Sequence, residues 1–97
     1  MADFILLMHG DATQPEAAGS WDAYFERLHA SGAFEGGSTI GGGLSFRKGE
    51  ETRADVTPLI GFIRLQLADL AEAEAFLPGN PVYESGGTVE IRALPRD

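Results

Sequence analysis

The run Phe4-Ile5-Leu6-Leu7-Met8 narrows the choice of fold more than any other feature of the chain. Five consecutive apolar residues are too few for a free-standing helix, and they lack the alternation of a strand with one wet face. The run reads as a strand buried on both sides, which places it in the middle of a sheet. With 97 residues the chain holds one core and not two, so 1–97 is expected to be a single domain. Whatever covers the two faces of that strand must come from this one domain or from a second molecule.

The rest of the pattern supplies the sheet. Ser20 is placed to cap a helix whose Trp21, Tyr24, Phe25 and Leu28 follow the spacing of one apolar face, and Gly32 is placed to end it. Residues 33–47 are glycine-rich and read as a bent or bulged strand. Residues 48–55 are charged and aperiodic, and read as an exposed loop. In Leu59 to Leu67, Ile63, Leu65 and Leu67 point one way and Phe62, Arg64 and Gln66 the other. Asp69 and Glu72 form a capping-box pattern opening a short helix, with Leu70, Ala73 and Leu77 inward and Pro78-Gly79 as its stop. In Gly86 to Leu94, Val89, Ile91 and Ala93 share one face while Thr88, Glu90 and Arg92 share the other.

The order is β-α-β-β-α-β, an α+β chain with the split arrangement of a ferredoxin-like fold, its antiparallel sheet carrying two helices on one face. The first and third strands are central in that topology. Two helices cover one face only, so the other is expected to be closed by a second copy, giving a homodimer. Arg64, Gln66, Glu90 and Arg92 would then lie at the dimer interface or along a cavity wall, with Glu90 paired to Arg64 or to the partner sheet.

Composition removes several classes of function. Fifteen acidic and seven basic residues leave a formal charge of −8, which repels phosphate backbones and anionic lipid surfaces; no nucleic acid and no membrane partner is expected. There are no cysteines, so disulfides, thiolate zinc sites and cysteine nucleophiles are excluded. The two histidines, His9 and His29, lack ligand spacing, and no calcium-loop pattern occurs; no metal and no cofactor is expected. The apolar start lacks a basic leader and is too short to span a bilayer, so a cytoplasmic location is expected.

The tail Gly79-Asn80-Pro81-Val82-Tyr83-Glu84-Ser85-Gly86-Gly87-Thr88-Val89-Glu90-Ile91-Arg92, with the opening Phe4 to Asp11, resembles the YCII-related or DGPF-domain family. The resemblance implies a dimeric α+β barrel in which two ferredoxin-like sheets face one another, with a cavity in each protomer. It also implies an active-site pair, a histidine in the first helix and an aspartate in an Asp-Pro step after the second. Those positions fall on Trp21 and on Asn80 of Asn80-Pro81. Neither replacement is a general acid or base near neutral pH. No Asp-Gly-Pro-Phe string occurs, and Asp55-Val56-Thr57-Pro58 stands roughly where it would.

His9, beside Gly10 and Asp11 at the end of the first strand, is the remaining weak candidate for acid–base chemistry. His29, near the end of the first helix, is better explained by the helix dipole. The glycines 41–43 lack the Lys-Ser/Thr of a phosphate loop. Two functions therefore fit. One is a small-molecule-binding or non-catalytic assembly module with His9, Trp21, Tyr24 and Asn80 at its ligand. The other is a small enzyme acting on a modest organic substrate in the protomer cavity, with His9 as polar centre.

Overall fold

The computed structural model describes residues 1–54 and 58–96; the Asp55-Val56-Thr57 part of the expected DGPF position lies outside them. The elements are β1 (Ala2–His9), α1 (Ser20–Ser31), β2 (Phe34–Thr39), β3 (Leu44–Ser45), β4 (Arg53–Ala54), β5 (Leu59–Leu67), α2 (Leu70–Glu74), α3 (Pro81–Glu84) and β6 (Val89–Leu94). The main sheet has the order β2-β5-β1-β6 with every pair antiparallel. β1 and β5 are central, and each helical connection spans the strand between the two it joins. This is the ferredoxin-like arrangement.

Alternation decides which side chains meet the helices. Phe4, Leu6 and Met8 of β1 and Ile63, Leu65 and Leu67 of β5 are buried with Tyr24 and Leu28 of α1, Ala73 of α2 and Val82 of α3. Each such aliphatic or aromatic side chain contributes about 1.5–3 kcal/mol on burial. Leu7 pairs with Phe62 and Glu90, and Ile5 with Arg64 and Arg92, so these residues share the opposite face. Ile5 and Leu7 are only half-buried there. The molecule is 18 Å through its shortest axis, the depth of one sheet and one layer of helices. The central strand is thus covered on one side within the chain.

Several local expectations are revised. Gly19, at φ 74°, precedes α1, and Ser20 lies inside the helix with its buried hydroxyl lacking a partner among the described residues, so Ser20 is not the cap. Gly32, at φ 73°, does end α1. The second helix is shorter than expected, and a further short helix follows its Pro78-Gly79 stop. Asp69 accepts from the Glu72 backbone N–H and Glu72 from that of Ala68, as a capping box does, but α2 ends at Glu74 and Leu70 faces solvent. Asn80 then caps a separate α3 with Pro81 in its first turn. The glycine-rich strand bulges between Phe34 and Gly36, and past Thr39 the chain leaves the sheet to form a two-stranded arm, β3 with β4. Among the described residues no helix is long and apolar enough to cross a membrane.

Candidate functional site

A cleft of about 410 Å³ opens between α1 and the β2–β5 side of the sheet. Its floor exists because two positions facing the helix are glycines. Gly37 pairs with Ile63, and a Cβ on it would lie 2.5 Å from the Phe62 carbonyl oxygen. Gly61 pairs with Thr39, and a Cβ there would lie 3.0 Å from Met8 Cε and 3.3 Å from the Ser38 carbonyl oxygen. Backbone therefore forms surface where side chains normally fill the space beneath a helix.

The walls are aromatic. Trp21 and Phe25 stack with centroids 5.5 Å apart, and Phe34 of β2 meets Phe25 edge-on at 6.1 Å. Trp21 Nε1 donates to Glu16 Oε1 at 3.0 Å, which fixes the indole. Met8 and Val82 add to the apolar lining, and Thr39, paired with Gly61 on the helix-facing side, supplies a hydroxyl. The Ser38 hydroxyl donates to the Thr39 carbonyl at 2.9 Å; that of Thr39 has no partner among the described residues.

The four residues expected around a ligand are not together. Trp21 lines the cleft, while Tyr24 and Asn80 lie in the core beside it and do not. The Tyr24 hydroxyl donates to the Phe76 carbonyl at 2.7 Å, and burial raises its pKa. Asn80 is 0% exposed; its Oδ1 accepts from the backbone of Val82 and Tyr83 at 3.0 and 3.1 Å, and its Nδ2 reaches Met8 Sδ at 3.7 Å. His9 belongs to the other side of the sheet, where its Nε2 lies 2.6 Å from Glu90 Oε1.

On that open face Glu90 is the hub. Arg92 Nε donates to its second oxygen at 2.8 Å, and the Glu90 carboxyl is held below the usual carboxylate range, first by Arg92 and then by His9. A carboxylate kept ionised only accepts, so His9 Nε2 carries the proton and, in the neutral ring, Nδ1 is left as an acceptor. Among the described residues nothing donates to Nδ1. Arg64, expected as the mate of Glu90, is exposed and makes no ion pair among the described residues. Gln66 donates to Asp3 at 3.4 Å, and Arg96 holds the same carboxylate at 2.7 and 3.2 Å. Asp11, the neighbour considered for His9, instead accepts from the Thr88 N–H and hydroxyl at 2.7 and 2.6 Å.

Among the described residues no three histidine or carboxylate groups gather where they would hold a metal ion. Sequence reasoning missed Gly37, Gly61, Phe25 and Phe34 as cleft residues. A glycine inside the alternating Ile60-Gly61-Phe62 stretch was the available signal for Gly61.

No family model and no curated protein matches the chain. Among solved structures it is similar to the 5-chloro-2-hydroxyhydroquinone dehydrochlorinase of Burkholderia phenoliruptrix AC1100, in complex with 2,5-dihydroxybenzoquinone. The identity is 12% over 98% of this chain and 95% of that one, with a TM-score of 0.46. The fold assignment rests on this chain's own strand order and pairing.

Proposed function

We propose that the chain is a binding protein for a small, flat, uncharged aromatic molecule. The aromatic-walled cleft over Gly37 and Gly61 carries this reading, since ligand sites are typically apolar hollows of roughly 300–1,000 Å³ with a few placed polar groups. Trp21 and Phe25 offer faces for stacking, and Thr39 offers a hydroxyl to one polar substituent. The net charge of −8 disfavours an anion. Naphthol, flat and neutral with one hydroxyl, is a suitable probe. Calorimetric titration should show it binding wild type, with Gly61→Val and Trp21→Ala each weakening it about tenfold or more. No naphthol binding by wild type, or equal binding by both variants, ends the proposal.

The reading includes a homodimer closed on the open sheet face, as the YCII-related resemblance also implies. On that face Asp3, Glu90 and Glu35, which acts electrostatically on Arg96, stand against Arg64, Arg92 and Arg96. A charge-balanced face with Ile5, Leu7 and Phe62 at its centre supports self-association in a chain that otherwise repels itself. Arg64→Glu, exposed in the single chain, should leave folding intact and weaken the dimer in sedimentation.

One observation favours acid–base catalysis as the second reading: the His9 ring is fixed through Nε2 while Nδ1 is left to take a proton. Because His9 and the cleft lie on different sides of the sheet, His9→Gln separates the two. It should leave naphthol affinity unchanged and abolish any turnover.

A further inference from the structure

We propose that the β1–α1 connection, Gly10 to Gly19, is a strap seated on Gly86-Gly87-Thr88, and that its Glu16 is a positioning residue which holds Trp21 as a standing wall of the cleft and so sets the ligand affinity. The inference rests on the cleft reading above and adds the device that prepares the site.

The strap forms no helix or strand, so its hydrogen bonds to other segments decide where it lies. Its first half is held to the turn between α3 and β6. Asp11 accepts from the Thr88 N–H and hydroxyl, and the Ser85 carbonyl takes the N–H groups of Thr13 and Gln14 at 2.9 and 3.1 Å. Two glycines make the seat. A Cβ on Gly86 would collide with Thr13 Oγ1, and one on Gly87 would lie 3.4 Å from Asp11 Oδ1 and 2.6 Å from Val82 Cγ1. The Gly-Gly step of the tail therefore lets the strap lie directly against this turn, which the alternation of β6 does not explain.

From that seat the strap delivers Glu16 to the indole. Glu16 stands two positions beyond the anchored Gln14, and the Ala17 carbonyl accepts the Ser20 N–H at 3.1 Å, closing the turn into α1. Phe25 covers one part of the half-buried Trp21 ring, and Glu16 Oε1 takes its only polar atom, Nε1. A side chain that must be immobilised when a ligand arrives costs affinity, whereas one held beforehand does not. Val82, on the apolar lining, is tied to the same turn, its carbonyl accepting from the Gly87 N–H at 2.8 Å. Two lining residues of the cleft thus take their places from one seat.

Trp21 is the sole tryptophan of the sequence, so the tryptophan band in near-ultraviolet circular dichroism reports how firmly the indole is held, with no ligand present. Glu16 is exposed, and Glu16→Ala should keep the melting point of wild type. Expected are a flattened tryptophan band and naphthol binding about two- to tenfold weaker by calorimetry. Glu16→Gln keeps an oxygen that accepts from Nε1, so it should match wild type in both readouts. Gly86→Ala, which drives Thr13 off the seat, should lower band and affinity together while the far-ultraviolet spectrum stays that of a folded chain. No naphthol binding by wild type overturns the cleft reading and the strap's role with it. If wild type binds, a Glu16→Ala variant equal to it in band or affinity overturns the strap's role alone. A glutamine variant as weak as the alanine one, or a Gly86→Ala variant as tight as wild type, does the same.

Discussion

Asn80 offers the sharpest test of how the second half of the chain is held. Its Oδ1 receives the backbone N–H groups of Val82 and Tyr83, and both Asn80 and Val82 are shut off from water at 0% and 1% exposure. Asn80→Ala removes a helix cap, a loss of about 1 kcal/mol. It also strands the Val82 N–H where no solvent reaches it, which adds about 1–3 kcal/mol. The sum is roughly 2–4 kcal/mol, and at about 4–8 °C per kcal/mol for a domain of this size the melting midpoint should fall by roughly 10–25 °C. Asn80→Ser keeps a neutral capping oxygen for these N–H groups, so it should cost less than the alanine variant. Urea unfolding followed by circular dichroism at fixed protein concentration measures both. An alanine variant within about 0.5 kcal/mol of wild type, the range of ordinary surface changes, would refute the capping argument. So would a serine variant as unstable as the alanine one.

Asp11 predicts a pH dependence. Its carboxyl is held below the usual range, first by the Thr88 hydroxyl and then by the Thr88 N–H. Between that lowered folded value and the unfolded value of about 3.9 the unfolded chain binds the extra proton, so the stabilisation is complete above this window and lost as pH falls through it. Asp11→Ala should melt below wild type at neutral pH, with the gap closing under acid; a gap constant across melting curves from neutral to acid pH would contradict the assignment. At Gly37 an added methyl meets the Phe62 carbonyl oxygen, so Gly37→Ala should destabilise by about 1–3 kcal/mol in chemical unfolding. Gly41→Ala, with open space around it, should stay within about 0.5 kcal/mol, and equal effects at both sites would sink the account of the cleft floor.

How much of this was legible in the sequence follows the range of the forces involved. β5 and β6 could be read because period-two alternation is local, and it correctly put Arg64, Gln66, Glu90 and Arg92 on one face; β1 was read from its unbroken apolar run. The start of α3 was written in Asn80-Pro81, a cap followed by a first-turn proline, but a helix of four residues is too short to show an apolar period. The contact of His9 with Glu90 was out of reach, since 81 positions separate them and only the β1–β6 register brings them together. The cleft needed the same kind of information. Gly61 is visible as a glycine in a strand, yet nothing local says that Trp21 and Phe25 stand over it.

The bulge in β2 has a bearing on how such a chain can change over generations. β2 carries one residue, Glu35, more than its ladder with β5 requires, since Phe34 pairs with Leu65 and Gly36 with Arg64. A single-codon deletion within the regular part of the β1–β5 ladder, Ala2 to Met8 against Gly61 to Leu67, would turn every side chain on one side of it to the wrong face. Loss of the codon for Glu35 would instead restore a regular ladder, with Phe34 still opposite Leu65 and Gly37 still opposite Ile63. β2 is therefore a strand in which length itself is free to drift, and the aromatic wall and glycine floor of the cleft sit on either side of that spot.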